Sequence, residues 1–165
     1  MLNVIFLDID GVLNSSEFAE RHFKETGNGL FMYDFIDPDT LDMFVDFLTK
    51  HDDIKLVISS SWRWSDCDKT ISDFSELKVS PLCQFIIGCT PRLDGIRGEE
   101  IKRFLEDDSL KRCWKCKNSR KIDNFCIIDD DSDILGEQMS HFVHTTNEKG
   151  LQEEHLKQIE RIFYG

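Results

Sequence analysis

The chain opens with an apolar run that ends in acid. Val4, Ile5, Phe6 and Leu7 form an uninterrupted hydrophobic stretch, the pattern of a strand buried on both faces, as in a parallel sheet. Asp8 and Asp10 follow, one residue apart, and Gly11 then allows a sharp turn. Alternation along an extended chain points both carboxylates the same way, at the carboxyl end of a strand, where open α/β sheets keep their sites. Two adjacent anions repel, and a divalent cation with oxygen ligands is the natural compensation. The plain alternative is an Asp-Gly turn at a polar strand end. It leaves the four apolar residues ahead, and DGVLN behind, without an explanation.

The remainder of the chain alternates strand-like and helical patterns. Residues Ser15 to Phe35 form a mixed segment holding Gly27, Gly29 and several aromatics. Asp37-Pro38-Asp39 then reads as a helix start, with Asp37 as N-cap and Pro38 in the first turn. Leu41, Phe44, Val45 and Leu48 follow at helical spacing. Ile54 to Ile58 reads as a second buried strand, ending in Ser59-Ser60-Ser61-Trp62-Arg63. A helix near Lys69 to Leu77, a strand from Phe85 to Gly88 and a helix from Gly98 to Leu105 come next. Phe125 to Ile128 is a fourth strand, His141 to Val143 a fifth, and Leu151 to Phe163 a closing helix with Leu156, Ile159 and Phe163 inward. This alternation implies a three-layer, Rossmann-like α/β domain with a central parallel sheet, a single domain spanning 1–165.

The fourth strand runs straight into Asp129, Asp130, Asp131 and Asp133. All strand ends of one polarity lie at one edge of a parallel sheet, so this cluster can meet Asp8 and Asp10 if the strands are neighbours. Mg²⁺ asks for an octahedron of oxygens and needs only a few protein ligands beside water and phosphate. A helix N-cap accounts for one or two of these acids, with Ser132 or Asp131 expected in that role. It does not account for Asp129 and Asp130 directly after a buried strand.

Composition narrows the function classes. A chain of 165 residues with 40% hydrophobic residues can bury a sizeable core. Its formal net charge of −12 argues against a broad basic surface for duplex DNA or anionic membrane, while leaving room for a local cationic pocket. No stretch approaches the roughly 20 apolar residues of a membrane helix, and the first run is too short for a signal peptide. The 6 Cys therefore read as reduced thiols of a cytoplasmic protein, with Cys89 and Cys126 behaving as small hydrophobes in strand-like runs.

FLDIDGVLN, LVISS and FCIIDDDSD, in that order, make the chain resemble the haloacid dehalogenase (HAD) superfamily of phosphohydrolases over nearly its whole length. VISSSWR, GCTPRLDGIRGEEIKRFL and IIDDDSD resemble more closely the branch containing phosphatase domains of nucleic-acid repair proteins. The resemblance implies that Asp8 is a nucleophile forming an aspartyl-phosphate. It implies that Asp10 protonates the leaving oxygen and then activates water. It also implies Mg²⁺ held by Asp8, the main-chain carbonyl of Asp10 and Asp130, with Asp129 as a direct or outer partner. Ser59 would hydrogen-bond a phosphoryl oxygen. Ser60 is the alternative, because three serines in a row leave the register open. The cation of the third motif would be Arg97, just before the helix opened by Gly98, with Lys102 second. Arg63 either adds a bidentate phosphate contact or makes a surface salt bridge.

Several features fall outside these motifs. Trp62 reads as core rather than as a platform for stacking a base, and Trp64 is open between the two. Cys113-x-x-Cys116 and His141-x-x-His144 fit Cys₂His₂ zinc by ligand type, but solvent-exposed thiols are the default reading. Lys111, Arg112, Lys115, Lys117, Arg120 and Lys121 form the strongest basic cluster, either a solvated loop or a guide for an anionic substrate. Neither the segment after the first motif nor the region from Trp64 to Gly95 is large enough for a cap domain. An open site suits a phosphorylated nucleic-acid end or another macromolecular phosphate. The expectation is an Mg²⁺-dependent phosphomonoester hydrolase. Its rivals are a non-catalytic phosphate-binding or regulatory domain and a phosphotransferase. The oligomeric state is not legible in the sequence.

Overall fold

The computed structural model describes residues 1–30, 35–110 and 121–165. Five strands form one sheet: β1 (Asn3–Leu7), β2 (Ile54–Ile58), β3 (Ile86–Cys89), β4 (Asn124–Asp129) and β5 (Phe142–His144). Their order is β3-β2-β1-β4-β5 and every pairing is parallel. The helices are α1 (Ser16–Thr26), α2 (Pro38–Thr49), α3 (Cys67–Ser75), α4 (Arg97–Glu106) and α5 (Glu153–Tyr164). This is the three-layer α/β arrangement expected from the alternation of patterns.

The apolar runs at the sheet centre are buried on both faces because successive side chains feed two different cores. Ile5, Leu7, Leu56, Ile58, Cys126 and Ile128 pack with Phe44 of α2, Phe74 of α3 and Ile159 of α5. Val4, Phe6, Val57 and Ile127 point the other way, against Ile101 and Phe104 of α4. An edge-to-face contact of the Phe6 and Phe104 rings, 5.6 Å between centroids, ties α4 to the central strand.

Register then decides what meets at the sheet edge. Leu7 of β1 lies opposite Ile58 of β2 and opposite Ile128 of β4. The next residues along these three strands are Asp8, Ser59 and Asp129, so they emerge side by side. The strand order changes direction beside β1, which is where α/β sheets open a crevice for ligands.

The mixed segment after β1 contains a helix, α1. Ser15 caps α1, its Oγ accepting from the Phe18 amide at 3.1 Å, and Gly27 closes it at φ 73°. α1 buries none of its residues. Between β2 and β3 lie α3 and a three-residue 3₁₀ turn, Ser80–Leu82. Neither insertion builds a cap domain among the described residues. Asp37 caps α2 as expected, with its Oδ1 accepting from the Asp39 amide at 3.0 Å. After β4 comes a 3₁₀ segment, Gly136–His141, rather than an α-helix that Ser132 or Asp131 could cap. Among the described residues, no helix is long and apolar enough to cross a membrane.

Candidate active site

Asp8 and Asp129 stand at the ends of neighbouring strands, 6% and 1% exposed. One carboxylate oxygen from each of Asp8, Asp129 and Asp130 lies within 4.8 Å of the others. The turn after β1 makes this approach feasible. Gly11 adopts φ 72°, and a β-carbon there would collide with the Asp130 carboxylate. The Gly11 carbonyl accepts from Thr145 Oγ1 at 2.7 Å and its amide donates to Asn14 Oδ1 at 2.8 Å, which fixes the turn against the sheet.

Three carboxylates this close set a demand for positive charge. Arg97, at the first position of α4, answers part of it. Its guanidinium lies 3.9 Å from Asp8 and 3.7 Å from Asp129, and it donates to the Ser59 carbonyl. Burial nevertheless raises the Asp8 carboxyl from its ordinary 3.8 to about 6, against the lowering effect of Arg97. Asp129 is raised further, to about 8, by burial and then by the charge of Asp8. Asp130 is also raised, chiefly by burial. An all-oxygen, under-neutralised set of this kind fits a hard divalent cation such as Mg²⁺.

Asp10 has a different environment. Its Oδ1 accepts from Asn14 Nδ2 at 2.8 Å and its Oδ2 from Trp62 Nε1 at 2.9 Å. The carboxylate is thus held beside the cluster without belonging to it. Each oxygen keeps a second lone pair for a proton. Trp62 is buried and packs in the core, as its sequence setting suggested. Its link to Asp10, and the role of Asn14, were not foreseen. The signal for Asn14 was present in DGVLN, where it follows Asp10 by four residues.

The structure sorts the expected phosphate contacts. Ser59 and Ser60 are both buried at the strand end. Ser60 Oγ accepts from the Trp62 amide at 3.2 Å and helps to lower the Asp8 carboxyl's pKa, while Ser59 Oγ lies 3.4 Å from Thr90 Oγ1. Arg97 is brought to the cluster and Lys102 is not: the Lys102 ammonium pairs with Glu137 at 3.6 Å. Its position one turn into α4 puts it on the outer face.

Arg63 requires a correction on both of its readings. It is neither a phosphate fork nor a surface salt bridge. Its side chain is 3% exposed and pairs with Glu100 at 2.6 Å. Nε donates to the Thr90 carbonyl and the terminal nitrogens to the carbonyls of Ser60 and Pro91. With these donors committed, Arg63 pins the loops after β2 and β3 to α4.

The acidic run after β4 divides its labour. The Asp131 amide donates to Asp129 Oδ1 at 3.0 Å, and the Asp131 residue itself is exposed. Asp133 caps α4 instead of a following helix, its Oδ2 accepting from the Arg97 amide at 3.1 Å. Gly98 allows this docking, because a β-carbon there would meet the Leu135 amide nitrogen at 2.5 Å. His141 directly precedes β5 and stacks on Phe125, and His144 is the last residue of β5, its Nε2 2.9 Å from the Asp130 carbonyl. Cys113, Cys116 and the basic residues from Lys111 to Arg120 lie outside the described residues.

A parallel sheet whose central strand ends in paired aspartates, beside a second acidic strand end and a cation from a helix start, defines a HAD-like domain. The family model for the HAD domain in Swiss Army Knife RNA repair proteins matches residues 4–156, and the chain belongs to that family. No curated protein and no solved structure gives a match. Membership supports a phosphatase or hydrolase role in general, and domains of this family typically use Mg²⁺.

Proposed function

We propose that the chain is an Mg²⁺-dependent phosphomonoester hydrolase that works through an aspartyl-phosphate on Asp8. The observation that carries this reading is the convergence of Asp8, Asp129 and Asp130 within 4.8 Å, with Arg97 reaching two of them and Asp10 held alongside. Asp8, Asp130 and the main-chain carbonyl of Asp10 would hold the cation, with Asp129 as a direct or outer partner. Bound there, Mg²⁺ would offset the repulsion between carboxylate and phosphate and orient the phosphoryl group.

The chain's own residues supply the rest. An Asp8 oxygen attacks phosphorus and the P–O bond to the leaving alcohol breaks, with Asp10 giving that alkoxide its proton. Asp10 then takes a proton from water, whose oxygen attacks the phosphorus of the acyl phosphate and regenerates the Asp8 carboxylate. Ser60 and Ser59, at the end of β2, donate to the phosphoryl oxygens. Arg97 faces the charge that builds on them. Trp62 and Asn14 hold Asp10 in place through both reactions.

The substrate class that fits best is a phosphorylated RNA or DNA end. The matched family is described by RNA repair proteins, and the short insertions leave room for a macromolecular phosphate. The test is hydrolysis of p-nitrophenyl phosphate and of 3′- and 5′-phosphorylated oligonucleotides, with Mg²⁺ and with EDTA. Metal-dependent release of phosphate that is absent from Asp8→Asn supports the reading. Wild-type activity in Asp8→Asn would overturn the covalent route.

A further inference from the structure

A groove of about 570 Å³, within the range of small-molecule sites, has Ser61, Trp62 and Trp64 in its lining. Trp62 joins it to the site: its indole N–H holds Asp10, and its ring lines the groove. Asp10 is the group that would meet the leaving oxygen, so the groove begins at the residue that holds it.

The lining fits a flat, neutral group. Trp64 is 46% exposed, an unusual position for an indole, which is highly buried on average. The ring is pinned rather than loose. Its Nε1 donates to Asp73 and the Lys69 ammonium sits 3.7 Å from the ring centroid. Such fixing reduces the entropy lost when something stacks on it. Phe74 and Leu77 add an apolar wall. Charge then separates a base from a phosphate. Asp73 and Glu76 also line the groove, and their carboxylates repel a second phosphate while accepting from amino or ring N–H groups. Arg92 also lines the groove and donates to the Ser61 carbonyl at 2.8 Å, just past the Ser59-Ser60 strand end, a cation for a sugar-phosphate.

We infer that the groove receives the nucleobase of the terminal nucleotide whose phosphate sits at Asp8, with Trp64 as the stacking platform. The inference rests on the nucleic-acid reading of the substrate proposed above. Stacking of this kind tolerates any base, because every base offers a π-face. Specificity would therefore be for the end of a single strand rather than for a sequence.

The test compares two single-stranded oligonucleotides with the same phosphorylated end, one carrying its terminal base and one abasic there. Wild-type protein should favour the base-bearing substrate by about tenfold in kcat/KM, the scale of one base on one aromatic ring. Trp64→Ala should bring that ratio close to one, and Trp64→Phe should keep most of it, with melting curves confirming that both variants fold. A ratio near one in the wild type, or an unchanged ratio in Trp64→Ala, overturns the inference. So does a phosphoserine peptide whose kcat/KM depends on Trp64 when the oligonucleotide ratio does not. Binding of the same oligonucleotides to Asp8→Asn, followed by fluorescence anisotropy, separates the two readings. If no oligonucleotide is hydrolysed, the substrate proposal fails, and the binding ratio alone still decides whether the groove holds a base.

Discussion

Glu100→Ala should damage the fold more than it damages binding of a phosphate ester. The carboxylate is the only acidic partner of Arg63 among the described residues, and both side chains are buried. Burial already pulls the Arg63 guanidinium below its ordinary pKa, and Glu100 is the main group opposing that shift. Removing Glu100 leaves a buried cation with carbonyl partners but no counter-charge, and it frees the Leu93 amide that Glu100 Oε1 accepts at 3.0 Å. Breaking a buried pair in this way costs about 3–5 kcal/mol. For a chain of this length each kcal/mol moves Tm by about 2–4 °C, so the expected loss is about 6–20 °C. Glu100→Gln, which keeps acceptors but not charge, should lose less. Thermal unfolding by circular dichroism reads both variants, and steady-state kinetics well below Tm reads the site. Arg63→Lys is the decisive companion, because a lysine cannot serve three carbonyls and a carboxylate at once. If it melted with the wild type while KM for a phosphate ester rose tenfold or more, Arg63 would be a phosphate contact and the structural role would be wrong.

The other expectations concern the acidic cluster. Asp130→Ala should raise the Mg²⁺ concentration needed for half-maximal activity well above that of Asp131→Ala, because only Asp130 turns its carboxylate to the cluster; equal shifts in a metal titration would reject this assignment. Metal-free protein should lose stability as pH rises. Asp8 holds its proton to about 6 when folded and to 3.8 when unfolded, so above 3.8 the unfolded state is the one that deprotonates first. That penalty reaches about 3 kcal/mol once pH passes the folded value, and Asp129 extends it in the same direction towards pH 8. Tm measured in EDTA should therefore fall between pH 5 and 8, and Mg²⁺ should restore more of it at pH 8 than at pH 5; a flat or rising profile would contradict the burial argument. Gly11→Ala should lose activity and stability together, since its φ of 72° and the Asp130 carboxylate both exclude a β-carbon; an unaffected variant, by melting and assay, would show that the turn relaxes freely.

What the sequence disclosed follows from what it encodes locally. A strand buried on both faces is written as an apolar run, and a carboxylate directly after it has nowhere to go but the sheet edge. Asp8, Asp129 and Asp130 were readable for that reason. α1 was not, because only Phe18, Ala19 and Phe23 among its residues are apolar and none of them is buried; Ser15 and Gly27 marked its ends. The Arg63 misreading has the opposite origin. Its nearness to the end of β2 suggested phosphate, but Glu100 lies 37 residues further along the chain and no local pattern announces the pair. A cap was legible in the acidic run but expected of Ser132 or Asp131; Asp133 makes it, and the helix it caps, α4, precedes it in sequence. Trp62 was correctly read as core, while the direction of its indole N–H depends on a fold no spacing could supply.

The balance of charge at the cluster explains why one arginine and a row of buried acids belong together. Desolvation is the largest influence on Asp8, with Arg97 second and opposite, so the guanidinium does not fully offset the cost of burying the carboxylate. A second cation close enough to complete the compensation would have to sit among the carboxylates themselves. A lysine in the position of Arg97 could meet one acid, whereas the planar guanidinium reaches Asp8 and Asp129 together and still donates to the Ser59 carbonyl. Among the described residues no ion pair to Asp130 is formed, and the Gly11 turn lies directly against its carboxylate. The residual negative charge is thus concentrated where a divalent ion and a phosphoryl group would share it. The instability it imposes on the metal-free fold is the same energy that would draw the ion in.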